Sequence, residues 1–278
     1  MITPILLKNV LVASALNNAP CLPSTPTAPA SSTILCYGMS FNVTAPESCP
    51  TEGCGIIYDV HGLTMNAYLQ DANTGLSYLG PLNGYITVQP SAPGATWSTE
   101  NYDKLIAFFF ESLNQWPVDK KKVHVTGFSL GGYLSWWFGC HLGEHLSSIA
   151  PIASGVGKVC TDPERIVPKV PVLALYGWTD LRVSYQEGVD SRNLMQSVLG
   201  LETISYEEAY GFQKEVLTNE DGLLFESYSH SFETSYAYGR GHCFPNPVIS
   251  ANQFSCYGHL PISWGYLVID FFMRTAKK

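Results

Sequence analysis

Long apolar runs alternate with amphipathic segments through most of the chain. The runs contain few polar residues, which is typical of parallel-sheet strands that are buried on both faces. They lie at residues 55–60, 84–90, 148–153 and 170–176, and a short β-branched strand is predicted at residues 122–128. Apolar residues also recur at helical spacing from 102 to 116, and Pro117 ends this helix. Strand and helix therefore alternate, which predicts right-handed crossovers and a mostly parallel sheet.

The pattern predicts further elements on either side of this central region. Residues 34–43 suit an edge strand, and residues 186–200 suit a helix. A hairpin is predicted to turn at 219–222, and residues 232–238 are predicted to form the last core strand. A closing helix at 263–273 carries aromatic and aliphatic residues along one face. No internal repeat is visible, so we expect one domain rather than a repeat array.

Length and composition agree with a single compact domain. The chain has 278 residues, of which 46% are hydrophobic and 14% are charged, so it can bury a large core. Residues 1–35 join a short apolar run to a stretch rich in Pro, Ser, Thr and Ala. We interpret them as a peripheral lead-in made of a signal remnant and a linker. Residues 36–278 are then expected to form the single folded domain.

Charge and hydropathy exclude two classes of partner. The net charge of −8 leaves no basic surface of the kind that binds nucleic acid or an anionic membrane. No apolar run approaches the roughly 20 residues that cross a bilayer. We therefore expect neither nucleic-acid binding nor membrane insertion, and we expect a monomer.

The eight cysteines predict disulfides, since most of them lie beside Gly, Pro or Ser in loop-like places. Zinc-type and redox C-x-x-C pairs are absent from the sequence. Paired cysteines indicate an oxidising compartment, so we expect a secreted protein. The alternative is a set of unpaired, buried thiols. Sequence proximity predicts the pairs Cys49–Cys54, Cys243–Cys256, Cys140–Cys160 and Cys21–Cys36.

The most informative motif lies at residues 122–137. A β-branched strand leads into Gly127-Phe128-Ser129-Leu130-Gly131, and an apolar segment of helical character follows. This is the context of a nucleophile elbow, in which a sharp turn exposes a serine hydroxyl at the carboxyl edge of a sheet. Gly127 and Gly131 supply the small residues that such a turn requires. The alternative is a chance match in an ordinary strand-to-helix turn.

Two further loop residues are candidates for a catalytic triad with Ser129. Asp180 follows one buried strand, and His242 follows the predicted last core strand. The order Ser129, Asp180, His242 is that of the α/β-hydrolase triad, and a parallel sheet gathers the carboxyl ends of its strands at one edge. Imidazole can take the serine proton, while a carboxylate orients the imidazole. Asp180 has the alternative role of a turn residue, and His259 is the competing base.

A second loop carries the other expected oxyanion donor. His61-Gly62-Leu63 ends the first buried strand, at the point where hydrolases of this architecture present a backbone N–H. We expect the N–H groups of Leu63 and Leu130 to bind the oxyanion. His61 precedes the serine in the chain, so we expect it to hold its loop rather than to act as base.

Taken together, these motifs resemble a known family, the poly(3-hydroxybutyrate) depolymerase and feruloyl esterase group of α/β-hydrolases, which includes acetylxylan esterases. The matching segments are Cys49…Cys54, His61-Gly62, Gly127-Phe128-Ser129-Leu130-Gly131-Gly132, Gly177-Trp178-Thr179-Asp180 and Gly241-His242-Cys243-Phe244-Pro245. The resemblance covers residues 36–275. It implies an α/β-hydrolase fold with a mostly parallel central sheet and helices on both faces, with Ser129, Asp180 and His242 as the triad and Leu63 in the oxyanion loop.

Two positions depart from the pattern of this family. Many relatives carry a histidine where Tyr176 precedes Gly177, and a tryptophan where Phe244 precedes Pro245. The departures bear on the substrate more than on the reaction.

The expected function is a secreted serine carboxylic-ester hydrolase that forms an acyl-enzyme and needs no metal or cofactor. Feruloyl-type aromatic esters or hydroxyalkanoate polyesters are the expected substrates. The alternatives are a hydrolase of synthetic aromatic polyesters such as polyethylene terephthalate, and a non-catalytic binding protein on the same fold.

The sequence also predicts the shape of the site. Residues 183–230 have the pattern of a helix and a hairpin, so we expect a shallow cleft without a deep lid. The candidate substrate-binding residues are Trp97, Trp178, Phe244 and His61; core packing is the alternative role of the aromatic ones. No cation is evident near the site, so we expect neutral esters to be preferred and long-chain triacylglycerols to be poor substrates.

Overall fold

The computed structural model describes residues 21–23, 32–236, 239–246, 252–258 and 261–277. Within these ranges the strands are β1 (Ser32–Cys36), β2 (Met39–Thr44), β3 (Cys54–Val60), β4 (Tyr85–Ser91), β5 (Val118–Phe128), β6 (Ser148–Ile152), β7 (Val172–Gly177), β8 (Glu202–Ala209), β9 (Phe212–Thr218) and β10 (Leu224–His230). The helices are α1 (Ala67–Thr74), α2 (Leu76–Leu82), α3 (Thr99–Gln115), α4 (Leu130–Leu142), α5 (Tyr185–Leu199) and α6 (Trp264–Arg274).

The strands form one sheet in the order β1-β2-β4-β3-β5-β6-β7-β10-β9-β8. The neighbours from β4 to β10 are parallel to one another. Antiparallel strands extend the sheet at both edges. The mostly parallel sheet that the alternation of strand and helix predicted is therefore confirmed. Its parallel strands bring their carboxyl ends to one edge, where the elbow serine lies.

Helices cover both faces of the sheet, as expected. In β3, Ile56 packs into one core cluster and its neighbour Ile57 into the other, because successive side chains of a strand point to opposite faces. Apolar residues of α3 and α4 join the first cluster, and those of α2 and α6 join the second. No helix in the described ranges is both long enough and apolar enough to span a bilayer.

The predicted edge strand at 34–43 is two strands, β1 and β2. Tyr37 and Gly38 both have positive φ, at 53° and 73°, which reverses the chain between them as in a tight hairpin. The apolar pattern continues across this turn, so the pattern by itself did not reveal it. The sequence also left β8, α1 and α2 unpredicted.

The prediction of a last core strand at 232–238 is wrong. The last strand is β10, which pairs in parallel with β7 and ends at His230 opposite Gly177. β10 is the second strand of the hairpin that was predicted to turn at 219–222, and its antiparallel pairing with β9 confirms that hairpin. The sequence did not reveal that β10 belongs to the core, because it carries a buried charge: Glu226 is 3% exposed and forms ion pairs with Lys214 at 3.0 Å and Arg274 at 3.1 Å. A carboxylate at the centre of a strand contradicts the apolar pattern, but paired charges are tolerated in a core.

The domain extends further towards the N-terminus than residue 36. Leu22 is buried, the Cys21 amide donates to Glu111 at 2.9 Å, and the Trp116 indole donates to the Pro23 carbonyl at 3.0 Å. β1 also begins at Ser32, inside the segment that we predicted as lead-in. The rest of that segment, 1–20 and 24–31, lies outside the described residues.

Disulfides close four loops of the described chain, with the pairing that sequence proximity predicts. They are Cys21–Cys36, Cys49–Cys54, Cys140–Cys160 and Cys243–Cys256. The first ties the segment at residue 21 to β1. The last lies beside His242 and therefore bears on the site.

Candidate active site

Ser129 lies in the turn between β5 and α4, in a backbone conformation that few residues adopt. Its φ is 54° and its ψ is −113°, which is strained for any residue with a Cβ. The elbow is also very tight, because a Cβ on Gly127 or Gly131 would run into the backbone carbonyl of Val60. The sequence thus forms the elbow because glycine stands at both points of close approach.

The N-terminus of α4 begins directly after Ser129. The Ser129 amide donates to Ile152 at 3.0 Å, and its carbonyl accepts from Tyr133 at 2.9 Å. The Leu130 amide is the first of the helix and has no partner among the described residues. The Leu63 amide also has no partner among the described residues, and Leu63 is 51% exposed. Both predicted oxyanion donors line one cleft with Ser129.

His61 holds the loop that carries Leu63. It is fully buried; its Nδ1 donates to the Gly62 carbonyl at 2.7 Å and its Nε2 accepts from the Ala92 amide at 3.1 Å. Burial lowers the pKa of His61, which favours the neutral ring that this pair of bonds requires. The Trp97 indole donates to the His61 carbonyl at 2.8 Å. These bonds tie the loops after β3 and β4 together.

His242 and Asp180 meet at the edge of the sheet. His242 Nδ1 donates to Asp180 Oδ2 at 2.6 Å, and both residues are 8% exposed. The other carboxylate oxygen accepts from the amides of Arg182 at 2.7 Å and Val183 at 2.9 Å. Three donors therefore orient Asp180, and its bond to Nδ1 leaves Nε2 of His242 as the free nitrogen.

His124 lies away from the cleft. His124 is buried within β5, with Nδ1 2.8 Å from Ser148 Oγ and its ring stacked on Phe272. Burial lowers the pKa of His124 to about 3. His259, the competing base, lies outside the described residues. The described part of the chain holds no group of three or more His, Cys, Asp or Glu side chains arranged to bind a metal ion.

Ser129 and His242 line a cleft of about 500 Å³. The carboxyl ends of the strands and the loops that follow them form its walls. The described residues that line it are Leu63, Thr64, Phe128, Ser129, Leu130, Tyr133, Lys158, Arg182, Val183, Tyr236, Gly239, His242, Gln253 and Phe254. Such a volume suits a small ligand or one segment of a polymer.

The predicted aromatic contacts are not among the described residues that line the cleft. Trp97 is 7% exposed and is occupied by its bond to His61. Phe244 is fully buried, with its ring 4.4 Å from that of Phe128. Trp178 is half-buried on the loop after β7. Both Trp97 and Phe244 therefore support the candidate site from behind, Trp97 through its bond to the His61 loop and Phe244 through its contact with Phe128.

The aromatic residues that do line the cleft were missed in the sequence. They are Phe128, Tyr133, Tyr236 and Phe254. Two of them had a local signal, because Phe128 precedes the elbow serine and Tyr133 lies one helical turn after it. The other two come from the C-terminal loops, whose path only the folded chain defines.

The expectation that no cation stands near the site is wrong. Lys158, after β6, and Arg182, after β7, both line the cleft. Arg182 had a signal in the sequence, because it follows Asp180 by two residues on the same loop. Lys158 had none, since it is 29 residues from Ser129 and reaches the cleft only because β6 lies beside β5.

Residues 183–230 extend the sheet instead of covering Ser129. They form α5 and the antiparallel strands β8, β9 and β10, which lie at the far edge. Val183 is the only residue of this fully described segment that lines the cleft. The segment therefore leaves the cleft uncovered.

The overall structure resembles that of the acetyl xylan esterase from Aspergillus awamori. The two share 14% sequence identity with a TM-score of 0.62, and the match covers 88% of this chain and 99% of that one. The chain has the α/β-hydrolase fold. No family model matches it.

Curated relatives match parts of this α/β-hydrolase chain. It is 21% identical over 155 residues to a bifunctional acetylxylan esterase/xylanase of Neocallimastix patriciarum. This match covers 54% of this chain and 22% of that protein. It is also 32% identical over 84 residues to feruloyl esterase B of Piromyces equi. This match covers 30% of this chain and 16% of that protein. The matches thus span less than a quarter of either relative.

Proposed function

We propose that this protein is a serine carboxylic-ester hydrolase with Ser129, Asp180 and His242 as its catalytic triad. The proposal rests on the 2.6 Å hydrogen bond from His242 Nδ1 to Asp180 Oδ2. His242 and Ser129 line the same cleft. The names of the similar proteins, acetylxylan esterase and feruloyl esterase, support the same reaction class.

In this mechanism, His242 Nε2 takes the proton of the Ser129 hydroxyl as its oxygen attacks the ester carbonyl. The tetrahedral intermediate collapses when the alcohol departs with that proton, leaving an acyl-enzyme. A water molecule, deprotonated by the same nitrogen, then releases the acid. Asp180 keeps the imidazole in the required tautomer and stabilises the imidazolium.

The amides of Leu63 and Leu130 are the proposed oxyanion donors. Both are unpartnered in the described chain, and both residues line the cleft. The Leu130 amide also lies at the positive end of the α4 dipole, which favours a developing negative charge. His61 and Trp97 hold the Leu63 loop from behind.

The proposed substrates are acetyl and feruloyl esters of polysaccharides, with hydroxyalkanoate esters as a further acceptable class. An uncovered cleft of about 500 Å³ admits an ester that projects from a polymer, and its aromatic walls suit a planar acyl group. The four disulfides support secretion, since such bonds persist in oxidising compartments.

The test combines active-site labelling with substitution. An organophosphonate probe should label Ser129, as located by peptide mass mapping. Ser129→Ala and His242→Ala should each lower kcat on methyl ferulate or acetylated xylan by about a thousandfold or more, and the double variant should lose little further. His145→Ala, at a half-buried position in the turn after α4, is the matched control and should keep full activity.

Two outcomes would contradict the assignment. An active Ser129→Ala variant, or a wild-type protein inert towards all esters and unlabelled by the probe, would indicate a binding protein instead of an enzyme. His259→Ala should have a mild effect; if it were inactive while His242→Ala turned over normally, His259 would be the base.

A further inference from the structure

The charged side chains that line the cleft are positive, whereas the protein as a whole is negative. The chain carries a net charge of −8, yet the charged side chains among the described residues that line the cleft are Lys158 and Arg182, with no Asp or Glu among those residues. Positive charge concentrated in a cleft attracts anionic ligands even when the net charge is negative.

Both cations lie on the same side of Ser129. The sheet order β3-β5-β6-β7 puts the loop with Leu63, after β3, on one side of the elbow that follows β5. The loops after β6 and β7, which carry Lys158 and Arg182, lie on the other side. The cleft is therefore asymmetric, with an apolar wall at Leu63 and a cationic wall opposite.

The two cations differ in how far they are already paired. Lys158 Nζ lies 2.7 Å from Glu187 Oε2 and 3.1 Å from the Tyr133 hydroxyl, so its charge is largely balanced. The Arg182 guanidinium has no hydrogen-bond or ion-pair partner in the described part of the chain. Its backbone is held nonetheless, because the Arg182 and Val183 amides both donate to Asp180 Oδ1. Arg182 thus combines an anchored backbone with an unpaired charge.

We propose that Arg182, assisted by Lys158, forms a carboxylate-binding subsite in this cleft, so that the enzyme prefers esters that carry a carboxylate close to the scissile bond. The inference rests on the proposed function. A guanidinium presents two parallel N–H donors that match a carboxylate in bidentate geometry. Since the whole cleft measures about 500 Å³, the carboxylate and the ester must belong to the same small unit, such as one aromatic ring or one uronic acid residue.

The test compares two acetyl esters with similar scissile bonds, 4-acetoxybenzoate and the neutral 4-acetoxybenzamide. At pH 7 the first is an anion. The quantity measured is the ratio of their kcat/KM values, anionic over neutral. Arg182→Gln should lower this ratio about fivefold, which corresponds to about 1 kcal/mol for an accessible ion pair. Added salt should lower the ratio for the wild type but much less for the variant.

Two further variants sharpen the comparison. Arg165→Gln removes the same charge from the groove at the opposite end of α4 and should leave the ratio unchanged. Lys158→Gln should lower it less than Arg182→Gln, because Lys158 is already paired with Glu187. If Arg182→Gln and Arg165→Gln give the wild-type ratio, Arg182 binds no carboxylate and the proposal is overturned.

A binding measurement separates this inference from the proposed function. Ser129→Ala protein, with or without Arg182→Gln, is titrated with 4-acetoxybenzoate in a calorimeter. Weaker binding to the double variant supports the subsite even if no turnover is found in the wild type. Equal binding to both proteins overturns the subsite while leaving the esterase assignment intact.

Discussion

Ser129 shows how a single residue can be placed for reactivity at a cost in backbone strain. With φ at 54° and ψ at −113°, it occupies a region that side chains disfavour by about 1–3 kcal/mol. The surrounding chain enforces this conformation through Gly127 and Gly131, whose lack of a Cβ lets the elbow approach Val60. The proposed mechanism needs the hydroxyl, but the Cβ that carries it is unfavourable there.

We therefore expect Ser129→Gly to be more stable than Ser129→Ala, with both inactive. Glycine relieves the strain, and this gain exceeds its entropic cost of about 0.5–1 kcal/mol. The melting temperature of the Gly variant should be higher by about 2–4 °C, as measured by calorimetry. Ser135 in the interior of α4 is the matched control, since glycine should there be less stable than alanine. The opposite order at position 129 would show that the elbow is unstrained.

At the scale of elements, the loop that carries His242 depends on a network of short contacts. Cys243–Cys256 closes this segment, the Phe244 amide donates to Phe254, and the Cys256 amide donates to Phe244. These bonds join two stretches of irregular chain, neither of which belongs to a strand of the sheet. The loop has little regular structure of its own, so the disulfide contributes much of its order.

Removing this disulfide should lower activity before it unfolds the domain. In Cys243→Ser/Cys256→Ser we expect kcat on a soluble ester to fall at least about tenfold, since a 1 Å misplacement of a catalytic group can cost that much or more. Far-UV circular dichroism should stay that of the wild type at 25 °C. Cys49→Ser/Cys54→Ser is the control, because that pair lies at the amino end of β3, away from the cleft. Equal activity losses in the two double variants would mean that the effect is global.

At the scale of the whole molecule, the position of residues 183–230 determines how open the site is. They add β8, β9 and β10 to the far edge of the sheet and contribute only Val183 to the cleft. A chain segment of this length could have formed a lid, but its strands obtain their hydrogen bonds by extending the sheet. The described chain thus leaves the site open to solvent.

An open cleft predicts a particular order of substrates. Initial rates on methyl ferulate, a hydroxybutyrate oligomer and an aromatic polyester oligomer should all exceed the rate on emulsified triolein. The rate on triolein should also rise in simple proportion to the dispersed surface, without the abrupt increase that follows lid opening at an interface. A clear preference for triolein with such an increase would mean that a lid covers Ser129.

Much of the architecture was determined locally and could be predicted. The central strands β3, β4, β6 and β7 are near-continuous apolar runs, so their burial on both faces, and hence a parallel sheet, followed from the pattern. The elbow was equally local, because its glycines and serine lie within five residues. Ser129 and Asp180 directly follow β5 and β7, so their position at one edge of the sheet could be predicted, whereas His242 reaches that edge through an irregular stretch after β10.

Other features were decided only by tertiary structure. The core position of β10, the second strand of the predicted hairpin, escaped prediction because Glu226 is buried within it with partners from β9 and α6, and a pairing between distant elements leaves no local pattern. Phe244 and Trp97 turned out to support the site from behind, since a strand or loop position does not reveal which way a ring faces. Lys158 and Arg182 became neighbours of Ser129 through the order of the strands. Local sequence determines which elements form, whereas the packing of those elements determines which side chains share a cleft, because that depends on contacts between residues far apart in the chain.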